Sequence, residues 1–465
     1  MEIYIAIVVL AVVCVLFAKS KGFVHTAMLS FFGLQGAGVA CAAIYGYGEN
    51  YWYFFDFDAM GLSYAALMSG VGLLTVWRSV DALDAKSLRE RKIYFLSLLA
   101  LSVSLIGVYF SNNIAVNWIF LEATTLATAG LTYHHRSVRS LEATWKYVFV
   151  SSIGIAVAYL GVLLLSTTPT HSLDYSELVS AVASPESSPI YLKLAFLFIL
   201  IGYSTKLEVF PLFTVGIDAN HSAPAPASAF ISSALVGGGY VAIFRVYKVM
   251  MASSVSHWVL NLLMVVVIVS LISSAVYMGR TANYKRMLAY STVENSALSL
   301  LGLSLGGVGV FASVLHSLAH TVIKALSFLQ LSKAGRLYGT YKVGPLGGYL
   351  HCDRLGAGVL LLCVVSLVAA PPSLLFRSEY LMFKEILLSD RWWIIILVAI
   401  PLLTCAYWTL TKLLTIIFSA QHGKNQQMQR PSVFSYVLLV LLLGLFVVCI
   451  LQPELLNGLI MEIVR

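Results

Sequence analysis

The chain has 465 residues, 59% of them hydrophobic and only 11% charged, with a formal net charge of +8 at pH 7. An average soluble domain carries about 25% charged residues, so this composition excludes a soluble globular enzyme, a disordered chain and a nucleic-acid-binding protein. Six cysteines, scattered and without a CxxC pair, exclude a disulfide framework and supply no clustered thiolates for an iron–sulfur or nickel–iron centre, so no redox metal is expected in this chain.

Apolar runs of roughly 18 or more residues cross a bilayer. About fourteen of them follow one another here, predicting an all-α polytopic membrane protein. They lie near 2–18, 23–46, 59–79, 93–110, 114–132, 142–166, 190–213, 224–247, 257–279, 287–306, 308–331, 355–376, 392–418 and 432–451. The first run has no small-residue cleavage site and reads as a retained helix. Cations cluster in alternate loops: Lys19 and Lys21; Lys86, Arg89, Arg91 and Lys92; Arg136 and Arg139; Arg280, Lys285 and Arg286; Lys333, Arg336, Lys342 and Arg354; Lys424 and Arg430. Loops 47–58 and 167–189 have none. This alternation places both termini outside the cytoplasm; the loop 214–223, without Lys or Arg, breaks the pattern.

A charge at the bilayer centre costs at least ~2.5–3.5 kcal/mol and is a functional hypothesis by default. In chain order the first such group is Glu122, in NWIFLEATTL of span 5. Lys146 follows in span 6, and Lys206 lies deep in span 7, in IGYSTKLEVFP. Glu122 and Lys206 form a buried ion pair if their helices adjoin; the rival reading is a static salt bridge that only fixes helix packing. Glu142, Lys193, Arg245 and Lys248 sit near span ends, where snorkelling explains them. Glu294 in span 10 lies just inside the cytoplasmic edge, either as a proton-uptake point or in a capping or interface role.

Span 11 reads VLHSLAHTVIKALSF. His316, His320 and Lys324 stand at i, i+4 and i+8, a stripe roughly 12 Å long on one helix face, as a proton wire requires. The rivals are a metal-binding His pair, for which no third ligand lies on the helix, and packing histidines. Pro211 interrupts span 7, and Pro371 and Pro372 interrupt span 12, each break beside charge. Proline ends a helix, and in lipid a broken helix survives only where protein or water satisfies the freed groups. Two such breaks, about 160 residues apart, suggest two structural repeats. Beyond the second break, Glu379, Lys384 and Glu385 suit an exit to the external face, with a solvated helix end as the rival reading.

These residues carry a resemblance. GYSTKLEVFPLFTVGIDANHSAPAPASA, LEATWKYVFVSSIG, YKRMLAYSTVENSALSLLGL and LHSLAHTVIKALSF resemble the seventh, sixth, tenth and eleventh helices of the antiporter-like proton-translocating membrane subunits. That family comprises the large membrane subunits of complex I, those of the multisubunit cation/proton antiporters, and the membrane arms of energy-converting nickel–iron hydrogenases. The STK triplet, the LEATWKY run and the PP…SE pattern lean towards hydrogenase-4 component F. The resemblance covers about Glu122 to Glu379. It implies fourteen core helices in two inverted five-helix repeats with broken helices 7 and 12, and a proton path along a hydrated central axis. By position it assigns proton transfer to Glu122, Lys206, His320, Lys324 and Glu379, with Lys146, His316 and Glu294 as accessory groups. Two departures stand out. The middle of helix 8, often marked by a Lys or His, is here ALVGGGYVAIF with no Lys, His or carboxylate, and the usual WLPDAH is here VGIDANH.

The expected organisation is residues 1–110 as N-terminal helices running into the first repeat, 93–248 as that first five-helix repeat, 257–418 as the second, and 432–465 as a C-terminal helix. The expected function is a proton-translocating subunit of a redox-driven respiratory or hydrogenase complex in a prokaryotic inner membrane. The alternatives are a sodium/proton antiporter subunit not driven by electron transfer and a non-conducting membrane scaffold. The chain itself is expected to hold no cofactor; nickel–iron and iron–sulfur centres are expected in partner subunits. The partners are then other membrane and peripheral subunits and membrane lipid, with no nucleic acid. In the expected cycle the Glu122–Lys206 pair responds to a neighbouring subunit, the Lys206 proton moves towards Lys324, and a proton leaves by Glu379.

Overall fold

The computed structural model describes residues 2–344, 346–389, 391–419 and 430–465; Lys424 lies outside them. The chain divides into two compact units, Met1–Leu263 and Met264–Arg465. Each of the fourteen apolar runs contains a described helix, and eleven described helices are long and apolar enough to cross a membrane.

The first unit opens with α1 (Glu2–Phe17) and α2 (Lys21–Tyr45), followed by a two-stranded hairpin, β1 (Asn50–Tyr51) and β2 (Phe55–Asp56). It continues through α3 (Ala59–Ala82), α4 (Leu88–Phe110), α5 (Ile114–Thr132) and α6 (Val138–Leu165). Local chemistry sets the starts. Ser87 and Glu90 form a reciprocal capping box on α4, and the Asn113 side chain accepts from the backbone N–H groups of Ala115 and Val116 at the head of α5. Such caps satisfy donors that no intrahelical carbonyl reaches. The cation-free segment 167–189 contains a short helix, α7 (Tyr175–Ala183).

Next come α8 (Pro189–Leu207), α9 (Thr214–Ser222), α10 (Ala225–Phe230), a π-helical turn (Ile231–Leu235) and α11 (Val236–Met251). The expected interruption of span 7 is present: α8 stops at Leu207, Glu208 takes a left-handed conformation, and the Phe210–Pro211 peptide is cis. The segment read from sequence as the cation-free loop 214–223 is the helix α9. The most apolar 18-residue stretch of Ala225–Met251 is wholly buried, whereas that of Lys21–Tyr45 is 28% buried, so α10–α11 form the centre of this unit and α2 its rim. The π turn frees the Ala234 carbonyl, which accepts from Tyr109 Oη at 2.7 Å.

The helix α12 (Ser256–Arg280) carries the boundary between the units. The second unit then contains α13 (Tyr284–Leu305), α14 (Val308–Tyr338), α15 (Tyr349–Cys352), α16 (Arg354–Leu367), α17 (Leu374–Leu388), α18 (Ile394–Phe418), α19 (Val433–Leu451) and α20 (Glu454–Val464). Asn283 caps α13 through the N–H groups of Lys285 and Arg286. The second expected break lies between α16 and α17, where Ala369 is left-handed and Pro371–Pro372 is cis. Ser373 restarts the chain by capping α17. Glu379 thus belongs to a 15-residue helix, longer than the apolar run ending at 376 suggests. The α14 window is 83% buried against 28% for α18, so α14 is the centre of this unit.

Candidate functional site

In the first unit the chemistry gathers around α6, which packs against both α5 and α8. The α6–α8 seam is built of small residues. A Cβ on Gly202 of α8 would meet the Gly154 carbonyl and Ala158 of α6, and one on Gly161 would meet the Ala195 carbonyl. Close backbone approach through small residues is the usual way helices associate where water provides no driving force. It brings the end of α8 deep into the unit and leaves the Lys206 side chain 0% exposed.

Lys206 does not meet Glu122 directly. Its Nζ donates to Thr125 Oγ1 at 2.7 Å and to Tyr147 Oη at 3.5 Å, and it stands 5.4 Å from the centre of the Tyr147 ring. Thr125, one helical turn after Glu122, donates to Glu122 Oε2 at 3.3 Å, while Ser152 of α6 donates to Glu122 Oε1 at 2.6 Å. The expected ion pair is therefore a three-member chain, ammonium to hydroxyl to carboxylate, with both the hydroxyl and the carboxylate on α5. The hydroxyl accepts from one charged group and donates to the other, the arrangement through which a proton can pass.

Lys146 lies apart from this centre. Successive helical residues turn by about 100°, so Tyr147 faces inward at 1% exposure while Lys146 pairs with Glu142 on an outer face, the two side chains 56% and 60% exposed. Arg245 is not a snorkelling residue. Its guanidinium donates to the carbonyls of Val108, Tyr109 and Ser111 at the end of α4 and to Asp58 Oδ2 at 3.0 Å, the residue that caps α3. Lys193 stands 5.9 Å from the Trp258 ring.

In the second unit the stripe on α14 is buried along its length: His316 and Lys324 are 0% exposed and His320 is 3% exposed. His316 Nδ1 lies 2.9 Å from Ser378 Oγ of α17. That hydroxyl also lies 2.8 Å from the Leu375 carbonyl, to which it donates, and the His316 tautomer sets which partner donates in the histidine–serine contact. His320 Nε2 is buried with no hydrogen-bond partner among the described residues. Because α13 starts at Tyr284 and runs 22 residues, Glu294 sits at mid-helix, 4% exposed. It lies within electrostatic reach of Lys324 and of Glu379. Glu379 follows the Ser378 that holds His316 and is partly exposed. Among the described residues no three His, Cys, Asp or Glu side chains converge as metal ligands.

Sequence reasoning missed Thr125, Tyr147, Ser152 and Ser378. Thr125 was accessible, because a hydroxyl at i+3 from a buried carboxylate shares its helix face. The others are contributed by neighbouring helices and carry no local signal.

Residues 111–404 match the family described as NADH:quinone oxidoreductase/Mrp antiporter, TM. The chain is 27% identical over 414 residues to the hydrogenase-4 component F homolog of Methylacidiphilum infernorum, covering 85% of this chain and 86% of that one. It is 25% identical over 403 residues to NADH-quinone oxidoreductase subunit N of Moorella thermoacetica, covering 86% and 84%. Its fold matches a chain in the structure of the membrane-bound sulfane sulfur reductase, an archaeal respiratory membrane complex, with a TM-score of 0.88, 21% identity, and coverage of 99% of this chain and 96% of that one. With its multi-pass helical fold and a match over more than half its length, the chain belongs to the transmembrane family of the NADH:quinone oxidoreductases and Mrp antiporters.

Proposed function

We propose that this chain is the proton-translocating membrane subunit of a redox-driven complex, and that Lys206 and Lys324, both 0% exposed, are the proton carriers. The observation that carries this reading is the Lys206–Thr125–Glu122 chain. A buried ammonium held by hydroxyls, one step from a carboxylate, has a proton affinity that the state of that carboxylate can move. Glu122 is only partly buried, so a charge brought near it from outside the chain acts on Lys206 through Thr125.

In the second unit, His316, His320 and Lys324 on α14, Glu294 on α13 and Glu379 on α17 form the corresponding set, with Glu379 as the release group. The paired breaks support reading the chain as two repeats, over 93–248 and 257–418. So does the parallel between Asn113, which bridges to Asp174, and Asn283, which bridges to Lys342. Electron transfer belongs to partner subunits holding nickel–iron and iron–sulfur centres, as the hydrogenase-4 component F likeness suggests. The membrane is the prokaryotic inner membrane, with both termini outside the cytoplasm.

The test is donor-driven proton uptake by membrane vesicles containing the assembled complex. Lys206→Ala and Glu122→Gln are expected to abolish or strongly reduce uptake; unchanged uptake in both would sink the proposal. The antiporter alternative predicts sodium-dependent proton exchange with no electron donor present, and the scaffold alternative predicts normal uptake after Lys324→Ala.

A further inference from the structure

The Lys206 centre has a second acid, at the break itself. Glu208 is the residue on which α8 ends, and its backbone is left-handed, with φ +59°, a conformation uncommon outside glycine, asparagine and aspartate. Its side chain is carried inward and the residue is 2% exposed. The carboxylate lies against α9: a Cβ on Gly216 would collide with it, and Asn220 Nδ2 donates to Glu208 Oε1 at 2.9 Å. Asn220 is wholly buried, and its Oδ1 has no partner among the described residues. The same helix packs Val215 and Ala219 against Tyr147. Tyr147 Oη is 3.5 Å from Lys206 Nζ, and the ring lies within electrostatic reach of both Glu122 and Glu208.

A purely structural acceptor at this place needs no charge; a serine, threonine or asparagine would serve with less desolvation. The partner chosen for Glu208 is also suited to both of its protonation states. The Asn220 amide nitrogen donates to a carboxylate, and its idle carbonyl oxygen accepts from a carboxylic acid. Next in the chain, Ala234–Phe244 has no Lys, His or carboxylate, so Glu208 is the buried acid nearest Lys206 in sequence.

We propose that Glu208 is a second proton-exchanging carboxylate of the Lys206 centre, taking up the proton that Lys206 releases. This rests on the reading of Lys206 as a proton carrier. In the step one N–H bond of the Lys206 ammonium breaks and one O–H bond forms on Glu208, leaving a neutral amine and a neutral acid. The Tyr147 hydroxyl takes one proton and gives up its own, and ends unchanged. Asn220 is a positioning residue that holds the carboxyl group in either state.

The test uses vesicles bearing the assembled complex, with proton uptake and electron transfer followed together. Glu208→Gln keeps the side-chain volume and an oxygen for Asn220. It is expected to lower uptake tenfold or more, as Lys206→Ala does, with assembly and thermal stability unchanged. Wild-type uptake in Glu208→Gln alongside lost uptake in Lys206→Ala overturns the proposal and leaves the Lys206 reading standing. Wild-type uptake in both variants overturns both. Should the glutamine variant not accumulate, the wild-type complex is treated with dicyclohexylcarbodiimide, which reacts with protonated carboxyl groups within membranes. Peptide mass spectrometry then decides: a modified Glu208 supports the proposal and an unmodified one overturns it.

Discussion

Thr125 is the smallest part of the Lys206 centre and the one whose removal is most informative. Among the described residues its hydroxyl joins the ammonium to the Glu122 carboxylate by hydrogen bonds on both sides. Thr125→Val keeps the shape and removes the link, so proton uptake is expected to fall at least about tenfold, in the range that one positioned transfer group contributes. Thr125→Ser should restore most of it. Equal uptake in the valine and wild-type vesicles would show that the link carries no protons. Outside the spans, Asp56 on the β2 strand is a second residue with a clear expectation. Burial, and then the negative charge of Asp58, hold its carboxyl above the usual carboxylate range, against the opposing pull of Arg245. An acid with a raised folded-state value favours the fold when protonated and loses that contribution as pH rises through the raised value. Asp56→Asn should therefore raise the melting temperature of the detergent-solubilised protein at pH 8, and by less at pH 4; a gain independent of pH would refute this account.

Helix seams and helix ends decide whether these residues meet at all. The α6–α8 seam leaves no room at Gly202, where added atoms would meet the Gly154 carbonyl. Gly202→Leu is expected to displace α8 from α6, at a cost of about 1–3 kcal/mol or more, and to abolish proton uptake without touching a titratable group. Size-exclusion profiles at rising temperature would register the loss of stability. Arg245 acts at a helix end. It takes three carbonyls that α4 leaves over and binds the Asp58 that caps α3. The set is part-buried, so removing one partner costs less than the ~3–5 kcal/mol of a fully buried pair. Lys is a poor substitute because it lacks the planar fork, so Arg245→Lys and Arg245→Ala should both lower the melting temperature. Sequence made the existence of these elements plain and their ends much less so. The prolines at 211, 371 and 372 locate both breaks because proline cannot continue a helix. The π turn at Ile231–Leu235 and the helix α9 could not be read in advance, because side-chain periodicity does not distinguish them from their surroundings. Arg245 was misread for a related reason: a cation near a span end looks the same whether it faces lipid headgroups or a neighbouring helix's carbonyls.

At the scale of the whole chain, the composition alone established a multi-pass membrane protein, and the motifs established its family. What the sequence could not supply was geometry among helices far apart in the chain. Glu122 and Lys206 are 84 positions apart in the numbering, and only packing shows that Thr125 intervenes. The stripe on α14 was visible because a single helix carries it, whereas its contact with Ser378 belongs to α17. The proposal that partner subunits hold the redox centres also belongs at this scale. The tagged chain, purified in mild detergent, is expected to bring with it nickel, iron and cysteine-rich soluble subunits. Iron without nickel would move the assignment to a complex I-type machine, and small membrane partners with no metal would move it to an antiporter.

The hydroxyl between Lys206 and Glu122 also bears on speed. Two opposite charges in direct contact must be pulled apart in every working cycle, and each ~1.4 kcal/mol of that separation slows the event about tenfold. Interposing Thr125 keeps each charge informed of the other while removing that lock. The centre is then built to relax quickly between its states, and a variant that brings the carboxylate into contact with the amine would trap it in one of them.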